Sequence, residues 1–438
     1  SVLSDPGWMK FSHNDRYTAN LNANYKLSQK VSFNLIVNGA YRQGRTPGNM
    51  DPLTGKVSSD LELNPYSYAL NTSRTLDPKV AYRYRYAPMN IFEELENNYT
   101  DSHIGDIKIQ GRLSWLITPK IEATALGAIK YQSISLELNQ TEQSNIARAY
   151  RAADNLNMIK NNEYLYEDPY DDFDVRRTVL PEGGIREKSE SLLSGKDFRA
   201  TLSYKDAFDG GKHKLQLLTG METNDTYRSK DWGKNFGLMY ELGEISYFSY
   251  EAFKQIQESK SPNYYTVTRT TSRNAAFFSN AVYTFLDRYT LEGIFRYDGT
   301  NQFGASRYIR WMPTWNLAFS WNVTKENFFP KNTALSQLSF KTSFGVIPES
   351  PSAPTSLVKI MGDIPWRSNE RTRETALKVS DPASYDLTYE KKQELNMGVQ
   401  MGFFNNRISL ALDGYTRQNY DLIGRVPTQG LSGTILRV

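Results

Sequence analysis

Apolar residues recur at every second position along this chain, in paired segments whose connections alternate between short and long. Between Arg16 and Tyr41 the apolar set is Tyr17, Ala19, Leu21, Ala23, Tyr25 and Leu27, separated by Thr18, Asn20, Asn22, Asn24 and Lys26. After Ser28-Gln29-Lys30 the rule resumes with Val31, Phe33, Leu35, Val37, Gly39 and Tyr41. A period of two places alternate side chains on opposite faces of a β-strand, so each segment has one apolar and one polar face.

The same pattern runs to the end. Gly105–Ile117 pairs with Ile121–Tyr131 across Thr118-Pro119-Lys120, and Phe198–Tyr204 with Leu215–Met221 across Asp209-Gly210-Gly211. Ala275–Phe285 pairs with Tyr289–Tyr297 across Asp287-Arg288. Trp311–Val323 pairs with Leu338–Val346, and Leu395–Phe403 with Ile408–Leu412 across Asn405-Asn406. That makes about twelve strands. Links between pairs are long and polar: Gln43–Ile104, Ser135–Asp197, Asn224–Arg273 and Ile347–Lys391, with Asp298–Arg310 shorter. Strict alternation gathers every long link at one end of the sheet, which is the layout of outer-membrane barrels.

On the apolar parity, roughly 64 positions carry no Asp, Glu, Lys or Arg, where about 15 are expected if charge ignored parity. The census shows one-sided burial, and both lipid and a sandwich core demand it. Aromatics weigh toward lipid. Tyr17, Tyr25, Tyr41, Trp115, Tyr131, Phe198, Tyr204, Tyr283, Phe285, Tyr289, Tyr297, Trp311, Trp315 and Trp321 share that parity, many near strand ends, where amphipathic rings settle at headgroup level. A mean hydropathy of −0.59 does not argue against this, because a membrane strand needs apolar residues only on alternate positions. The expected fold is all-β: an antiparallel transmembrane barrel with long extracellular loops. The competing reading is a soluble or secreted all-β carbohydrate-binding protein or β-rich enzyme, and a third is a passive porin-like barrel or adhesin. A formal charge of +4 with no concentrated basic run excludes a nucleic-acid partner, and the absence of cysteine excludes disulfides and thiol chemistry.

At Leu291–Gly304, "LEGIFRYDGTNQFG" resembles the SusC/RagA family of TonB-dependent outer-membrane transporters, whose strands end in Arg-x-Asp-Gly-(Ser/Thr). Trp311–Phe329 is similar to a later family segment through Pro313, Trp321, Val323, Thr324, Glu326 and Phe328. Leu338–Ile347 follows through Lys341, Ser343, Phe344 and Gly345. Leu387–Ile423 and Leu63–Pro78 complete five motifs in the family's order. The resemblance implies TonB-dependent active import of an oligosaccharide or peptide across the outer membrane of a Gram-negative bacterium of the Bacteroidota. It also implies a SusD-like surface lipoprotein as a lid, and it admits a dimer of transporter–lipoprotein pairs. Residues 1–438 are expected to be part of one barrel of 22 strands, with the family's plug, through which TonB acts, and its terminal strands lying elsewhere.

No catalytic constellation, cofactor site or metal site is expected. His13, His103 and His213 are scattered and read as loop or turn residues. Tyr166–Asp174 gathers Glu167, Asp168, Asp171, Asp172 and Asp174, which suits a hard cation or, more simply, a solvated acidic loop. Candidate ligand contacts are the loop aromatics Trp232, Tyr240, Tyr247, Tyr250 and Trp366, which would serve equally to pack the loops or to meet a lipoprotein. The charges Arg112, Lys130, Arg199 and Arg296 face away from lipid, and the resemblance makes them plug-facing.

Overall fold

The computed structural model describes residues 1–7, 9–48, 70–168, 175–247, 249–258, 264–301, 310–330, 334–349, 359–363, 376–381, 389–422, 424, 426–427 and 436–437. In chain order the strands begin with β1 (Val2–Asp5), β2 (His13–Lys26), β3 (Val31–Pro47), β4 (Tyr82–Tyr84), β5 (Ala87–Met89), β6 (Asn98–Thr118) and β7 (Ile121–Gln140). Then come β8 (Gly184–Phe208), β9 (His213–Met239), β10 (Ile245–Ser246), β11 (Tyr265–Phe285), β12 (Tyr289–Thr300) and β13 (Trp311–Asn322). The last are β14 (Leu335–Glu349), β15 (Lys359–Asp363), β16 (Ala376–Asp381), β17 (Glu390–Phe403), β18 (Ile408–Tyr420), β19 (Val426–Pro427) and β20 (Leu436–Arg437).

A 14-stranded antiparallel sheet dominates, ordered β1-β2-β3-β6-β7-β8-β9-β11-β12-β13-β14-β17-β18, with β10 pairing to β9 off that path. Its tight turns use left-handed backbone. Asp209, Gly210 and Gly211 have φ of 52°, 62° and 89°, and Asn405 and Asn406 have 54° and 62°, a conformation that Gly and Asn tolerate best.

The apolar face is uncovered. Leu21, Ile129 and Leu317 are 54%, 59% and 51% exposed, although a sandwich would bury such residues against a second sheet. So long an apolar face, free of charge and flanked by aromatics, is made for lipid, and the soluble alternative falls. Rings line the short-turn rim. Phe208, His213, Phe285, Tyr289, Trp321 and Phe340 follow one another at 5.0, 4.9, 6.5, 6.3 and 6.0 Å between centroids.

Glu326 ties this rim together. It accepts from Tyr289 Oη at 2.6 Å, from Trp321 Nε1 at 3.0 Å and from Arg288 Nη1 at 3.0 Å. Beside it, Thr324 Oγ1 accepts from the Leu338 amide at 2.7 Å and so pins the β13–β14 link. Glu326→Ala is expected to lower the temperature at which the folded full-length barrel loses its fast migration in detergent electrophoresis. Glu326→Gln, which keeps one acceptor, should fall between Ala and wild type; equal behaviour of all three would refute the role.

Strands run much further than the alternation suggested. The 27-residue β9 spans about 90 Å at about 3.3 Å per residue, whereas about 9–11 residues cross a bilayer. The expected link 135–197 therefore begins and ends in strand, and the expected link 224–273 is about half strand. Outside lipid both faces are polar, so the period-two signal stops while the ladder continues. Ion pairs mark this zone: Arg45–Asp101 at 2.7 Å, Lys188–Glu137 at 3.0 Å and Lys234–Glu187 at 2.7 Å. The three histidines are also strand residues, His213 being the first of β9.

Candidate functional site: a polar wall beneath a packed crown

The face opposite lipid carries the charges. On β8, β9 and β12 they form one cluster. Arg199 lies 3.8 Å from Glu222, Arg296 Nη2 lies 2.5 Å from the same carboxylate, and Arg296 Nε donates to Asp298 at 2.8 Å. The cluster spans the intervening β11 because Ala276, opposite both Glu222 and Asp298, is small and only 3% exposed. Phe278 stacks under Arg199, with its ring 5.0 Å from the guanidinium carbon. It fits because Gly220 faces it: a Cβ there would lie 2.6 Å from the Phe278 ring. The structure thus joins two of the four expected charges, Arg199 and Arg296, through a wall glutamate. Arg112 and Lys130 stand apart, exposed on β6 and β7.

Further along β12–β18 the same face is floored by small residues. Ala318, Ser320, Ser343 and Gly398, with Glu292 and Lys341 at the sides, line a concavity of about 510 Å³. It is a groove suited to a hydrated polar occupant.

Above lipid, the long links fold into a crown with small cores of its own. Ala147, Leu180, Ile185 and Phe236 form one, Met89, Ile91 and Leu95 a second, and Tyr166, Val179 and Ala252 a third. The helix Ile91–Asn97 is capped by Asn90, whose Oδ1 accepts from the amides of Phe92 and Glu93. Glu94 from that helix reaches the start of the helix Asn145–Arg151. Its Oε2 accepts from the Asn145 amide at 2.7 Å and its Oε1 from Asn98 Nδ2 at 2.9 Å. Asn145 Nδ2 in turn donates to the Tyr84 carbonyl at 2.9 Å. Glu94 is 3% exposed, and burial pushes its carboxyl above the usual range. Arg151 closes the next link by donating to the carbonyls of Leu180, Glu142 and Gly183.

The expected loop aromatics meet different fates. Trp232 is not in a loop: it lies within β9, opposite Ser189 and Thr266. Tyr240 packs the crown. Its hydroxyl lies 3.1 Å from both Asn139 Oδ1 and the Ile185 carbonyl, and the Arg186 guanidinium sits 5.4 Å from its ring. Burial raises the Tyr240 hydroxyl pKa. Arg186 also grips Glu244 through two bonds of 2.6 and 2.9 Å and lowers that carboxyl's pKa. Tyr247 and Tyr250 are exposed and remain available as contacts. Tyr247 is brought in where Gly237, at φ +74°, leaves no room for a Cβ. Trp366 lies outside the described residues, as do Asp171, Asp172 and Asp174 of the acidic segment. Glu167 pairs with Arg176 at 2.8 Å and Asp168 with Lys254 at 3.0 Å. Sequence reasoning missed Glu94, Asn145 and Arg151, because each is a lone polar residue whose partner lies far along the chain.

No family model matches this chain. It is 23% identical over 367 residues to the TonB-dependent receptor P3 of Formosa agariphila, covering 81% of this chain and 33% of that protein. It is 28% identical over 172 residues to the TonB-dependent receptor SusC of Bacteroides thetaiotaomicron, covering 37% of this chain and 16% of that one. Among solved structures, the RagAB peptide transporter matches 97% of this chain and 42% of its own, with a TM-score of 0.67 at 19% identity. The chain is similar in sequence to SusC and other TonB-dependent receptors, and it shares the fold of the RagAB transporter. It spans about a third, or less, of the length of the curated relatives it matches. In this barrel wall the apolar face meets the outer membrane and the arginine–carboxylate cluster faces away from lipid. The crown rises at the end where the long links collect. The relatives are receptors rather than enzymes, in keeping with a site built for contact.

Proposed function

We propose that this chain is barrel wall in a TonB-dependent importer of a large polar nutrient, an oligosaccharide or a peptide. The observation that carries the reading is the wall itself: an uncovered apolar face for lipid, backed by a polar face of fixed charges and small-residue groove. A passive pore shares both faces, so energy coupling is what separates the two readings. The crown, with Tyr247 and Tyr250 exposed, is the place for a SusD-like lipoprotein to dock and hand ligand down. Arg199 and Arg296, already neutralised by Glu222 and Asp298, offer a rigid hydrogen-bonding shelf to a plug domain contributed by the rest of the protein. Residues 1–438 then contribute to one barrel domain, and no chemistry is done on the cargo.

Energy coupling is the test. Uptake of the cargo by cells carrying the full-length protein is expected to stop, to background, when TonB is deleted or the proton gradient is collapsed with an uncoupler. Uptake that persists under both conditions would make the barrel a passive channel and overturn the reading.

A further inference from the structure

On β8 and β12, Arg199 and Arg296 are matched by carboxylates of the same wall. On β6 and β7 the pattern reverses. Lys108 stands directly opposite Lys130 in register, on the same face as Arg112 further along β6, and all three are exposed. None of them has an ion-pair partner among the described residues. Like charges directly opposite each other destabilise a ladder, so this pair carries a cost until an anion lies over it.

The neighbouring strands supply uncharged hydrogen-bonding groups. β3 sets Asn38 beside Lys108 and Asn34 beside Arg112, and β2 sets Asn20 opposite Asn38 and Asn24 opposite Asn34. Asn34 Nδ2 donates to Asn22 Oδ1 at 2.8 Å and to Asn24 Oδ1 at 2.7 Å, which holds that part of the ladder in order. Carboxamides both donate to and accept from hydroxyls, while ammonium and guanidinium groups seek carboxylates. Side by side, they suit a molecule rich in hydroxyls that also bears acid groups.

Height decides which molecule reaches them. Lys108 lies about ten residues along β6 from the short turn at Thr118 and Ile121. That is about 33 Å of strand, or roughly 25 Å of height at a tilt of about 40°. The apolar band is itself about 25 Å tall, so Lys108 and Lys130 sit at the outer rim, where cargo arrives first, and Arg112 lies about 10 Å further in.

We infer that Lys108, Lys130 and Arg112, with the asparagines of β2 and β3, form a seat for an acidic oligosaccharide, its carboxylates on the cations and its hydroxyls on the carboxamides. This rests on the importer reading and names the cargo class. The full-length protein, purified in detergent with its plug, is titrated calorimetrically with tetragalacturonate and, as the neutral counterpart, with maltotetraose. The acidic probe is expected to bind about tenfold or more tightly. Lys108→Gln combined with Lys130→Gln removes that preference without lowering thermal stability. Lys130→Arg keeps it, and Arg269→Gln, an exposed cation on the opposite face, leaves it unchanged. Equal binding of the two probes, or a preference that survives in the double variant, overturns the inference. So does a double variant that binds normally but exposes the plug to protease, since the anion is then a plug side chain. The titration needs neither TonB nor a gradient, so its failure and a failure of energised uptake are separate results.

Discussion

Leu317→Arg is expected to destabilise the folded barrel by about 2–4 kcal/mol, the cost of a cation facing the middle of the bilayer. Ala318→Arg, one residue on, should cost almost nothing. Leu317 lies midway between Trp311 and Trp321 on β13, on the uncovered face and about half exposed. Ala318 points the other way, into the concavity, where Glu292 stands opposite in register and takes the charge. Urea unfolding of the full-length protein in lipid vesicles measures both. If the two arginines cost the same, or if the costs are reversed, the assignment of faces is wrong and every conclusion drawn from parity goes with it.

The second large effect is in the crown. Glu94→Ala strands the Asn145 amide and the Asn98 carboxamide inside a buried joint, and the local cost is about 2–4 kcal/mol. It should appear as faster hydrogen exchange at residues 145–148 and as protease cuts in residues 70–97, with the membrane-embedded strands unaffected. Glu94→Gln behaves differently. Its oxygen still accepts from Asn145, and its amide meets Asn98, whose Oδ1 has no partner. The pH dependence follows from sign. Burial, the largest influence, raises the Glu94 pKa above its ordinary 4.5, while the bonds from Asn145 and Asn98 and the charges of Arg148 and Arg85 oppose it. A carboxyl whose folded pKa is raised stabilises the fold fully below the unfolded value. That contribution is lost as pH climbs through the folded one. Crown protection in the wild type should therefore be greatest below about pH 4.5 and weaken above it, and Glu94→Gln should flatten that profile. Unchanged exchange in Glu94→Ala would show that the crown does not depend on this joint.

How much of this was legible in the sequence depended on the medium each residue faces. Where one face meets lipid, as from Tyr17 to Tyr41, alternation is enforced residue by residue and the strands could be read directly. The same strands vanish from view once they leave the bilayer. Ile185–Lys196 and Asn224–Phe236 are as regular in the ladder as their membrane halves, but with water on both sides nothing requires alternation. Trp232 therefore reads as a loop residue from the sequence, although it lies within β9. Arg199 and Arg296 were legible as charges facing away from lipid, but their joining through Glu222 depends on register across four strands, and on Ala276 being small. Glu94 and Asn145, 51 residues apart, left no local signature, because a buried polar joint is specified by tertiary contact alone.

The meander has a consequence for how such a wall assembles. Each long strand pairs with the long strands before and after it in the chain, so growth can proceed hairpin by hairpin, at a speed set by the closing of the connections. Short turns close at little entropic expense, and a long link is slower because its ends must find each other. Here the links between β3 and β6, between β7 and β8, and between β9 and β11 each contribute to a buried cluster. A link that has condensed around such a nucleus presents its two strand ends close together. The crown thereby acts as a set of internal splints that make distant hairpins behave kinetically as neighbours.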